Sequence, residues 1–354
     1  MNEYNIFEKN ELHEFINYTK GKINYIFKFI TKENIKIYLI KTKILKDIID
    51  NDLQFKNFNE LINYLYSLEK PKVNYINIAF CLSNFYSTLA YVSMISILSN
   101  KKYYTYISFY LIIPNNFIQK NIDFIKSLNE NYDFFNITFI KMDNRYKNAF
   151  ISSYITNEAY YRFSLGELLP NINKIIYLDP DTITYKDLTN FYSINFNGKI
   201  ILGQATIGNK STKTSINKIN SGILLLNLKG MRKIKMEKKV LYLINHGFKA
   251  RYHDQTLINK YLYKYVGFFP PEYHTRCLNQ YKNIKIYNRM FGNLYDNDIL
   301  YFTWKYPTIR HYLGKYKPMN NKYINADDWW YYARKSKYFK KITNNLTNIF
   351  NFTL

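Results

Sequence analysis

The feature that most constrains the fold is an alternation of strand-like and helix-like segments that begins near residue 73. Apolar strand patterns occupy residues 73–80, 105–113 and 136–142, and helical patterns occupy residues 90–98 and 117–128. Alternation on this scale predicts a parallel α/β sheet with helices packed on its faces. In such sheets ligands bind outside the carboxyl ends of the strands, so polar residues at those ends are the first candidates for a site.

A further strand pattern, Lys174–Leu178, runs directly into two aspartates, Asp179 and Asp181. Side chains two positions apart in extended backbone point the same way, so both carboxylates can bind one cation. Carboxylate oxygens suit Mg²⁺ or Mn²⁺, and these ions in turn bind diphosphate oxygens. Asp296 and Asp298 have the same spacing but follow no buried strand, and we interpret them as a solvated turn.

Three further polar clusters accompany apolar segments downstream. The group 220–222 opens an apolar strand, a pattern that by itself indicates a turn with glycine at the tight position. Another cluster precedes an apolar helix and contains Asp254, which by itself would be a helix cap. His311 lies close to Gly314 and Lys317, so a possible Mn²⁺ ligand stands beside groups that accommodate and pair with phosphate.

Charge and cysteine content narrow the class of protein. The formal net charge is +24, which fits a nucleic-acid partner, an anionic membrane surface or an anionic substrate such as a nucleotide diphosphate. The lysines are scattered rather than gathered in one block, which disfavours a nucleic-acid-reading surface, although a basic nucleic-acid-binding protein stays an alternative class. The two cysteines, Cys81 and Cys277, have no C-x-x-C spacing, so a zinc ribbon or disulfide framework is disfavoured and a reducing compartment is expected.

The stretch from Val73 to Asn100 contains no charged residue, which raises the alternative of a membrane span. A polar run at residues 83–88 interrupts it, so we interpret the stretch as a strand, a polar loop and an apolar helix. Residues 1–10 lack the basic start and apolar run of a secretion signal. We therefore expect a cytoplasmic protein.

Five motifs together resemble glycosyltransferase family 8, which includes bacterial lipopolysaccharide glucosyl- and galactosyltransferases and the glycogenins. They are Y-R-x-x-x-x-E-L-L-P from Tyr161, K-I-I-Y-L-D-x-D from Lys174, N-S-G-I-L-L-L-N-L from Asn220, H-D-Q-T-L-I-N from His253 and H-Y-L-G-x-x-K-P from His311. The similarity covers roughly residues 73–320, with the motifs in the family's order. It implies an α/β GT-A fold, the Rossmann-like fold of nucleotide-sugar glycosyltransferases, with a mixed and mostly parallel sheet flanked by helices.

The resemblance also implies a role for each motif residue. Asp179, Asp181 and His311 would hold Mn²⁺ or Mg²⁺ against the diphosphate of a UDP-glucose or UDP-galactose donor. The other implied positions are donor and phosphate contacts at Arg162, Gly314 and Lys317, sugar contacts at Asn220, Ser221, Asp254 and Gln255, and a first nucleotide-binding loop at Cys81, Ser83 and Tyr86. Gln255 would face the side of the sugar where a nucleophile is expected, and it would form the catalytic group with Asp254 and Arg162. The implied activity is metal-dependent, retaining hexosyl transfer to an acceptor glycan, such as a lipid-linked precursor of lipopolysaccharide, with no nucleic-acid partner.

Two positions depart from the family's pattern. The first loop usually carries an acidic residue, whereas the matching stretch here, Ser83–Tyr86, has no carboxylate. The last motif often ends in tryptophan, and this chain has Met319 there. Without this carboxylate, the sequence does not indicate which residues contact the base and ribose of the nucleotide. A protein that binds sugar nucleotides but catalyses transfer weakly is therefore an alternative to an active transferase.

The motifs divide the chain into three regions. Residues 71–320 form the predicted catalytic domain, and a mostly helical lead-in without a catalytic motif, residues 1–70, precedes it. Residues 321–354 form an aromatic and basic helical tail that contains the pair Trp329 and Trp330. The tail either packs on the core or lies on an anionic inner membrane, and the second alternative would make the protein a peripheral membrane protein.

Overall fold

The computed structural model describes residues 73–102, 104–151, 156–206, 218–249, 252–276, 284–289, 291, 295–314, 317 and 326–350. The chain falls into two compact units, Met1–Asn74 with Lys102–Tyr106 and Tyr75–Lys101 with Ile107–Leu354. The predicted lead-in, residues 1–70, lies outside the described residues, as do Cys277 and Met319. The second unit contains nearly all of the described residues.

A sheet of seven strands forms the centre of the second unit. In spatial order its strands are β3 (Phe135–Met142), β2 (Thr105–Pro114), β1 (Asn74–Cys81), β4 (Lys174–Leu178), β7 (Lys218–Asn227), β6 (Ile201–Thr206) and β8 (Val266–Phe268). β2 pairs with β3, β1 with β4 and β6 with β8 in parallel, whereas β7 runs antiparallel to both β4 and β6. This mixed, mostly parallel sheet confirms the α/β fold expected from the sequence.

Alternating side chains of the central strands enter two hydrophobic cores, one on each face of the sheet. In β4, Ile176 and Leu178 belong to one core, whereas Ile175 and Tyr177 belong to the other. All four side chains are at most 1% exposed. A strand that is buried on both faces is apolar throughout, which accounts for the continuous apolar run that ends at the two aspartates.

Helices cover both faces of the sheet. In chain order the α-helices are α1 (Ser87–Asn100), α2 (Gln119–Lys126), α3 (Leu165–Leu168), α4 (Thr189–Ser193), α5 (Leu228–Lys233), α6 (Met236–Asn245), α7 (His253–Tyr261), α8 (Ile284–Arg289), α9 (Asn297–Lys305), α10 (Ala326–Arg334) and α11 (Phe339–Phe350). Short 3₁₀ segments are Asn84–Tyr86, Ser127–Glu130, Asn144–Tyr146, Asn157–Ser164, Tyr263–Tyr265 and Pro271–Tyr273. Helices α1, α2, α10 and α11 contribute to the core that contains Ile176, and α5, α6 and α7 contribute to the other.

A smaller sheet of three strands lies beside the end of β4. Its spatial order is β5 (Thr182–Thr184), β10 (Ile309–His311) and β9 (Thr275–Arg276). β10 runs antiparallel to β5 and parallel to β9, and the register pairs His311 with Thr182. Because Asp179–Asp181 connects β4 to β5, the two sheets bring the acidic pair and the imidazole to one place.

The uncharged stretch 73–100 is occupied by β1 and α1. Residues Ser87 to Leu98 of α1 are each at most 5% exposed. A helix that is enclosed by protein on all sides is apolar all round, which accounts for the lack of charge. Within the ranges that the structure describes, none of the helices has the length and apolar character needed to cross a bilayer.

The two helices of the tail pack into the domain core. Trp329 is fully buried, Trp330 is 2% exposed, and Ile342 and Leu346 of α11 are fully buried. All four side chains belong to the same core cluster as the residues of α1. The tryptophan pair therefore packs on the core, which was the first of the two alternatives given for the tail.

The first family motif lies on the 3₁₀ segment Asn157–Ser164 and the single turn of α3, which ends before Pro170. Two other local segments differ from their sequence-based interpretation. The group 220–222 lies inside β7 and not in a turn. Asp296 caps α9, because its side chain accepts hydrogen bonds from the backbone N–H groups two and three positions later, at 2.8 and 3.2 Å.

Candidate active site

Asp179, Asp181 and His311 converge at the junction of the two sheets. The Nε2 atom of His311 lies 3.1 Å from Oδ1 of Asp181 and 3.6 Å from Oδ2 of Asp179. One ligand atom from each residue lies within 4.8 Å of the other two, a spacing that one divalent cation can bridge. Asp181 and His311 are buried, whereas the side chain of Asp179 is 26% exposed. The group therefore opens to solvent on the side of Asp179.

Backbone contacts hold these side chains in place. The N–H of Asp179 donates to the carbonyl of Gly222 at 2.7 Å, and the N–H of Tyr312 donates to the carbonyl of Asp181 at 2.9 Å. A Cβ atom at Gly222 would collide with Cε1 of His311 and would lie 2.6 Å from Oδ2 of Asp179. Glycine is required at this position because the imidazole and the carboxylate lie directly over β7. Two carboxylates and an imidazole in such a cradle fit Mn²⁺ or Mg²⁺.

The guanidinium of Arg162 is buried next to Asp179. It donates to the carbonyl of Ser221, and its Nη2 lies 3.2 Å from Oδ1 of Asp179. Its Nη1 lies 3.2 Å from Oδ2 of Asp254, and the guanidinium carbon lies 4.1 Å from the centre of the Tyr177 ring. Two carboxylates thus share one buried cation. Truncating that cation would leave the buried carboxylate of Asp254 without the charged partner it has among the described residues, at a cost of roughly 3–5 kcal/mol.

Lys317 supplies positive charge at Asp181. Its Nζ forms an ion pair with Oδ2 of Asp181 and lies 5.8 Å from the centre of the Tyr86 ring. Burial by itself raises the pKa of Asp181, but the Lys317 ammonium and the His311 imidazole outweigh burial and hold this pKa below its usual range. Asp181 is therefore an anion at neutral pH, which is the form that binds a cation.

Residues of β7 and α7 form the wall where the sugar contacts were predicted. The Nδ2 atom of Asn220 donates to Oε1 of Gln255 at 2.9 Å, and the N–H of Ser221 donates to the same oxygen at 3.4 Å. Asp254 lies inside α7 and is not its cap, because the cap position is Tyr252. The strand and the helix therefore orient the amide of Gln255 jointly.

The predicted nucleotide-binding loop lines the same pocket. Cys81 ends β1, and burial raises the pKa of its thiol, so the thiol is neutral. The Oγ atom of Ser83 is buried and has no hydrogen-bond partner among the residues that the structure describes. Gly314 has a φ of +59°, a left-handed conformation that favours glycine. The loop offers a hydroxyl where the family usually offers a carboxylate.

The structure brings all of the predicted site residues together. They surround an open pocket with about 940 Å³ of empty space, open solvent included. Of the thirteen residues selected from the sequence, twelve line the pocket, and His311 lies behind Asp181 with its Nε2 in contact. Their roles toward a donor stay predictions.

Tyr177 and His274 are among the residues at the site that the sequence did not indicate. The hydroxyl of Tyr177 donates to Oδ1 of Asp179 at 2.7 Å, and strand alternation could have found it, since the two residues are two positions apart. The Nε2 atom of His274 lies 3.1 Å from Nδ1 of His311. No local pattern marks His274, because the pairing of β9 with β10 creates this contact.

Comparison with known families decides the identity of the domain. The family model described as Glycosyl transferase family 8 matches residues 77–322, which is more than half of the chain. The chain belongs to glycosyltransferase family 8. The matched range contains every site residue of this family 8 member described above, so the motif-based resemblance is confirmed.

Individual relatives are similar at lower identity. General stress protein A of Bacillus subtilis (strain 168) is 26% identical over 206 residues, which are 54% of this chain and 70% of that protein. Among solved structures, the bifunctional glycosyltransferase WbbM has a TM-score of 0.62 at 16% identity, over 78% of this chain and 53% of WbbM. An active-site mutant of LgtC has a TM-score of 0.59 at 20% identity, over 73% of this chain and 96% of LgtC. This chain thus spans about half the length of WbbM, and both structures share its GT-A fold.

Proposed function

We propose that this family 8 member is a metal-dependent, retaining hexosyltransferase that moves glucose or galactose from a UDP-sugar to an acceptor glycan. The observation that carries the proposal is the convergence of Asp179, Asp181 and His311 beside an open pocket, with ligand atoms within 4.8 Å of one another. This group would hold Mn²⁺ or Mg²⁺. LgtC, which is similar in fold, has been solved as a galactosyltransferase in complex with donor and acceptor sugar analogs, and this supports a sugar donor.

The charged residues of the pocket would assist departure of the nucleoside diphosphate. Negative charge develops on this leaving group, and a divalent cation, when bound, acts on it as a Lewis acid. Lys317 would exchange its contact with Asp181 for one with the phosphate oxygens and so add positive charge there. Arg162 would add a second positive charge while it holds Asp179 and Asp254 in position.

The same residues bear on the stereochemical course. Gln255 carries an amide, which is a poor nucleophile, and the carboxylate of Asp254 lies 3.2 Å from the guanidinium of Arg162. Retention would therefore proceed by front-face attack of the acceptor hydroxyl, through an ion-pair-like transition state. Isolation of a stable covalent sugar adduct on either side chain would contradict this course.

The test is hydrolysis and transfer with a panel of nucleotide sugars, measured with Mn²⁺ and with EDTA. We expect turnover of UDP-glucose or UDP-galactose that EDTA abolishes. Asp181→Ala should lower the rate by on the order of 10²-fold or more, as expected for a single preorganised electrostatic group. Asp298→Ala is the matched control, because Asp298 has the same spacing from an aspartate but is exposed on α9. Turnover that withstands both EDTA and Asp181→Ala would contradict the proposal.

Ser83 favours a second candidate function within the same family. Its hydroxyl occupies the loop position where a carboxylate is usual, and this Oγ has no hydrogen-bond partner within the described part of the chain. A protein with this loop would bind sugar nucleotides and turn them over weakly. Calorimetric binding of UDP-glucose or UDP-galactose without hydrolysis or transfer would support this second candidate.

The acceptor and the location belong to the same proposal. The protein would act in the cytoplasm on lipopolysaccharide or another cell-surface glycan, with a lipid-linked acceptor at the inner membrane. Support comes from the net charge of +24 and from the exposed lysines of the tail, Lys335, Lys337 and Lys340. Basic segments are attracted to the anionic cytoplasmic leaflet.

A further inference from the structure

His274 lies directly behind the predicted metal ligand His311. It follows the 3₁₀ segment Pro271–Tyr273, precedes β9 and is fully buried. Its Nε2 lies 3.1 Å from Nδ1 of His311, and the ring centres are 5.1 Å apart. Because the contact joins two ring nitrogens, one of them must donate a proton and the other must accept it.

The direction of this hydrogen bond decides whether His311 can bind a cation. Its Nε2 points at Asp181 and Asp179, at 3.1 and 3.6 Å, and so at the position of a shared cation. A lone pair is available on Nε2 only while the proton sits on Nδ1, and a buried Nδ1–H needs an acceptor. If His274 donated instead, the proton of a neutral His311 would sit on Nε2, and the cation would lose a ligand.

The backbone of His274 is held from two sides. Its carbonyl accepts a hydrogen bond from the side-chain amide of Gln204, which is itself fully buried. The next residue, Thr275, pairs with Arg310 in the ladder of β9 and β10, and its hydroxyl donates to the carbonyl of Ile309 at 3.2 Å. Strand pairing, and not a loop, therefore sets the distance between the two imidazole rings.

The chemistry of an imidazole ring allows the accepting role. A neutral ring has one protonated nitrogen and one nitrogen that can accept a hydrogen bond. The Nδ1 atom of His274 has no hydrogen-bond partner among the described residues, so the contact with His311 is the contact that can select between the two tautomers of His274.

We infer that His274 is a positioning residue of the metal centre, whose Nε2 accepts the Nδ1–H of His311 and thereby presents the Nε2 lone pair of His311 to the cation. The inference rests on the metal-dependent function proposed above. A partner that orients a metal-binding histidine typically changes metal affinity by about 10- to 100-fold. His274 thus belongs to the centre although it lies outside the pocket.

The first test measures the Kd for Mn²⁺ by electron paramagnetic resonance titration of the full chain. His274→Phe keeps a ring and removes the acceptor, and His274→Asn restores an acceptor oxygen. We expect the Kd to rise by about 10- to 100-fold in the phenylalanine variant and to recover largely in the asparagine variant. His246→Phe, which removes an exposed imidazole just after the C-terminal end of α6, is the control and should leave the Kd unchanged. A role in packing alone would lower the Tm of His274→Phe without changing its Kd, and that result would overturn the inference.

The second test needs no variant. In the wild-type chain labelled with ¹⁵N at histidine, the ring resonances of His311 report which nitrogen carries the proton, with Mg²⁺ as the diamagnetic cation. We expect the proton on Nδ1 in the Mg²⁺-loaded protein, and a proton on Nε2 would overturn the inference. Failure of the wild type to bind Mn²⁺ would overturn the proposed function together with this inference, whereas an unchanged Kd in His274→Phe would overturn the inference alone.

Discussion

Gly222 shows how little room the metal ligands leave at the scale of single residues. Its Cα faces the imidazole of His311 and the carboxylate of Asp179, and a methyl group there would push both away. Misplacement of a reacting group by about 1 Å can cost on the order of 10²-fold in rate. We therefore expect Gly222→Ala to lower the Mn²⁺-dependent rate of UDP-sugar hydrolysis by about that factor, measured at saturating donor.

Gly166 offers a control for this substitution. The closest atom to a Cβ at Gly166 would be Cβ of Met231, at 3.2 Å, and a shift of a few tenths of an ångström between α3 and α5 would relieve this contact. Gly166→Ala should therefore keep a rate close to that of the wild type. If Gly222→Ala also kept the wild-type rate, the Mn²⁺-dependent hydrolysis would not require His311 and Asp179 in their present positions.

The two cations of the site are chemically suited to different tasks. The side chain of Arg162 is 5% exposed and bridges two carboxylates, a geometry that the planar guanidinium fork provides and a single ammonium does not. The side chain of Lys317 is 17% exposed and contacts Asp181 at the edge of the pocket. A flexible lysine can turn toward a phosphate, whereas the buried arginine maintains the shape of the site.

At the scale of elements, α11 is part of the domain core and not a detachable segment. Leu346 on this helix is fully buried, so Leu346→Ala should lower the free energy of unfolding by about 2–5 kcal/mol. Lys340→Ala, on the exposed side of the same helix, should change it by less than about 0.5 kcal/mol. Urea unfolding measures both values. Equal effects of the two substitutions would contradict the packing of α11.

Elements that are long enough to show a hydrophobic period were predictable from the sequence. The predicted helix at residues 90–98 lies within α1, and the predicted strand at residues 136–142 lies within β3. β5, β9 and β10 contain only two or three residues each, which is too short for a period to show. The smaller sheet was therefore not predictable, and neither was the contact of His274 with His311 that depends on it.

The candidate site was predictable by two different routes. The pairing of Asp179 with Asp181 follows from strand alternation alone. The prediction that the two aspartates bind one cation together with His311 came from the resemblance to family 8. No local pattern could have shown it, because 130 positions separate His311 from Asp181. The ion pairs of Arg162 with Asp179 and Asp254 came from neither route, because side-chain packing decides them.

At the scale of the whole molecule, the net charge of +24 predicts salt-dependent attraction to anionic vesicles. If the tail makes the contact, changing Lys335, Lys337 and Lys340 to glutamate should reduce binding by at least about 1 kcal/mol per lysine at low salt, measured by co-sedimentation. These lysines are exposed and leave the buried side of α10 and α11 unchanged.

A charge-matched variant separates the tail from the general charge of the surface. Lys229, Lys233 and Lys238 are exposed on α5 and α6, which cover the opposite face of the sheet. Their change to glutamate alters the net charge equally and should leave most of the binding intact. Equal losses in the two triple variants would assign the attraction to the overall charge and not to the tail.

The order of the ligands along the chain has a consequence during translation. Asp181 precedes His311 by 130 residues, and the antiparallel partner of β5 in the described sheet is β10. A nascent chain thus carries both carboxylates while these 130 residues are added, and His311 is the last of them. Unfinished chains lack a complete set of the three predicted metal ligands. The proposed chemistry therefore begins only after nearly all of the catalytic domain has been made.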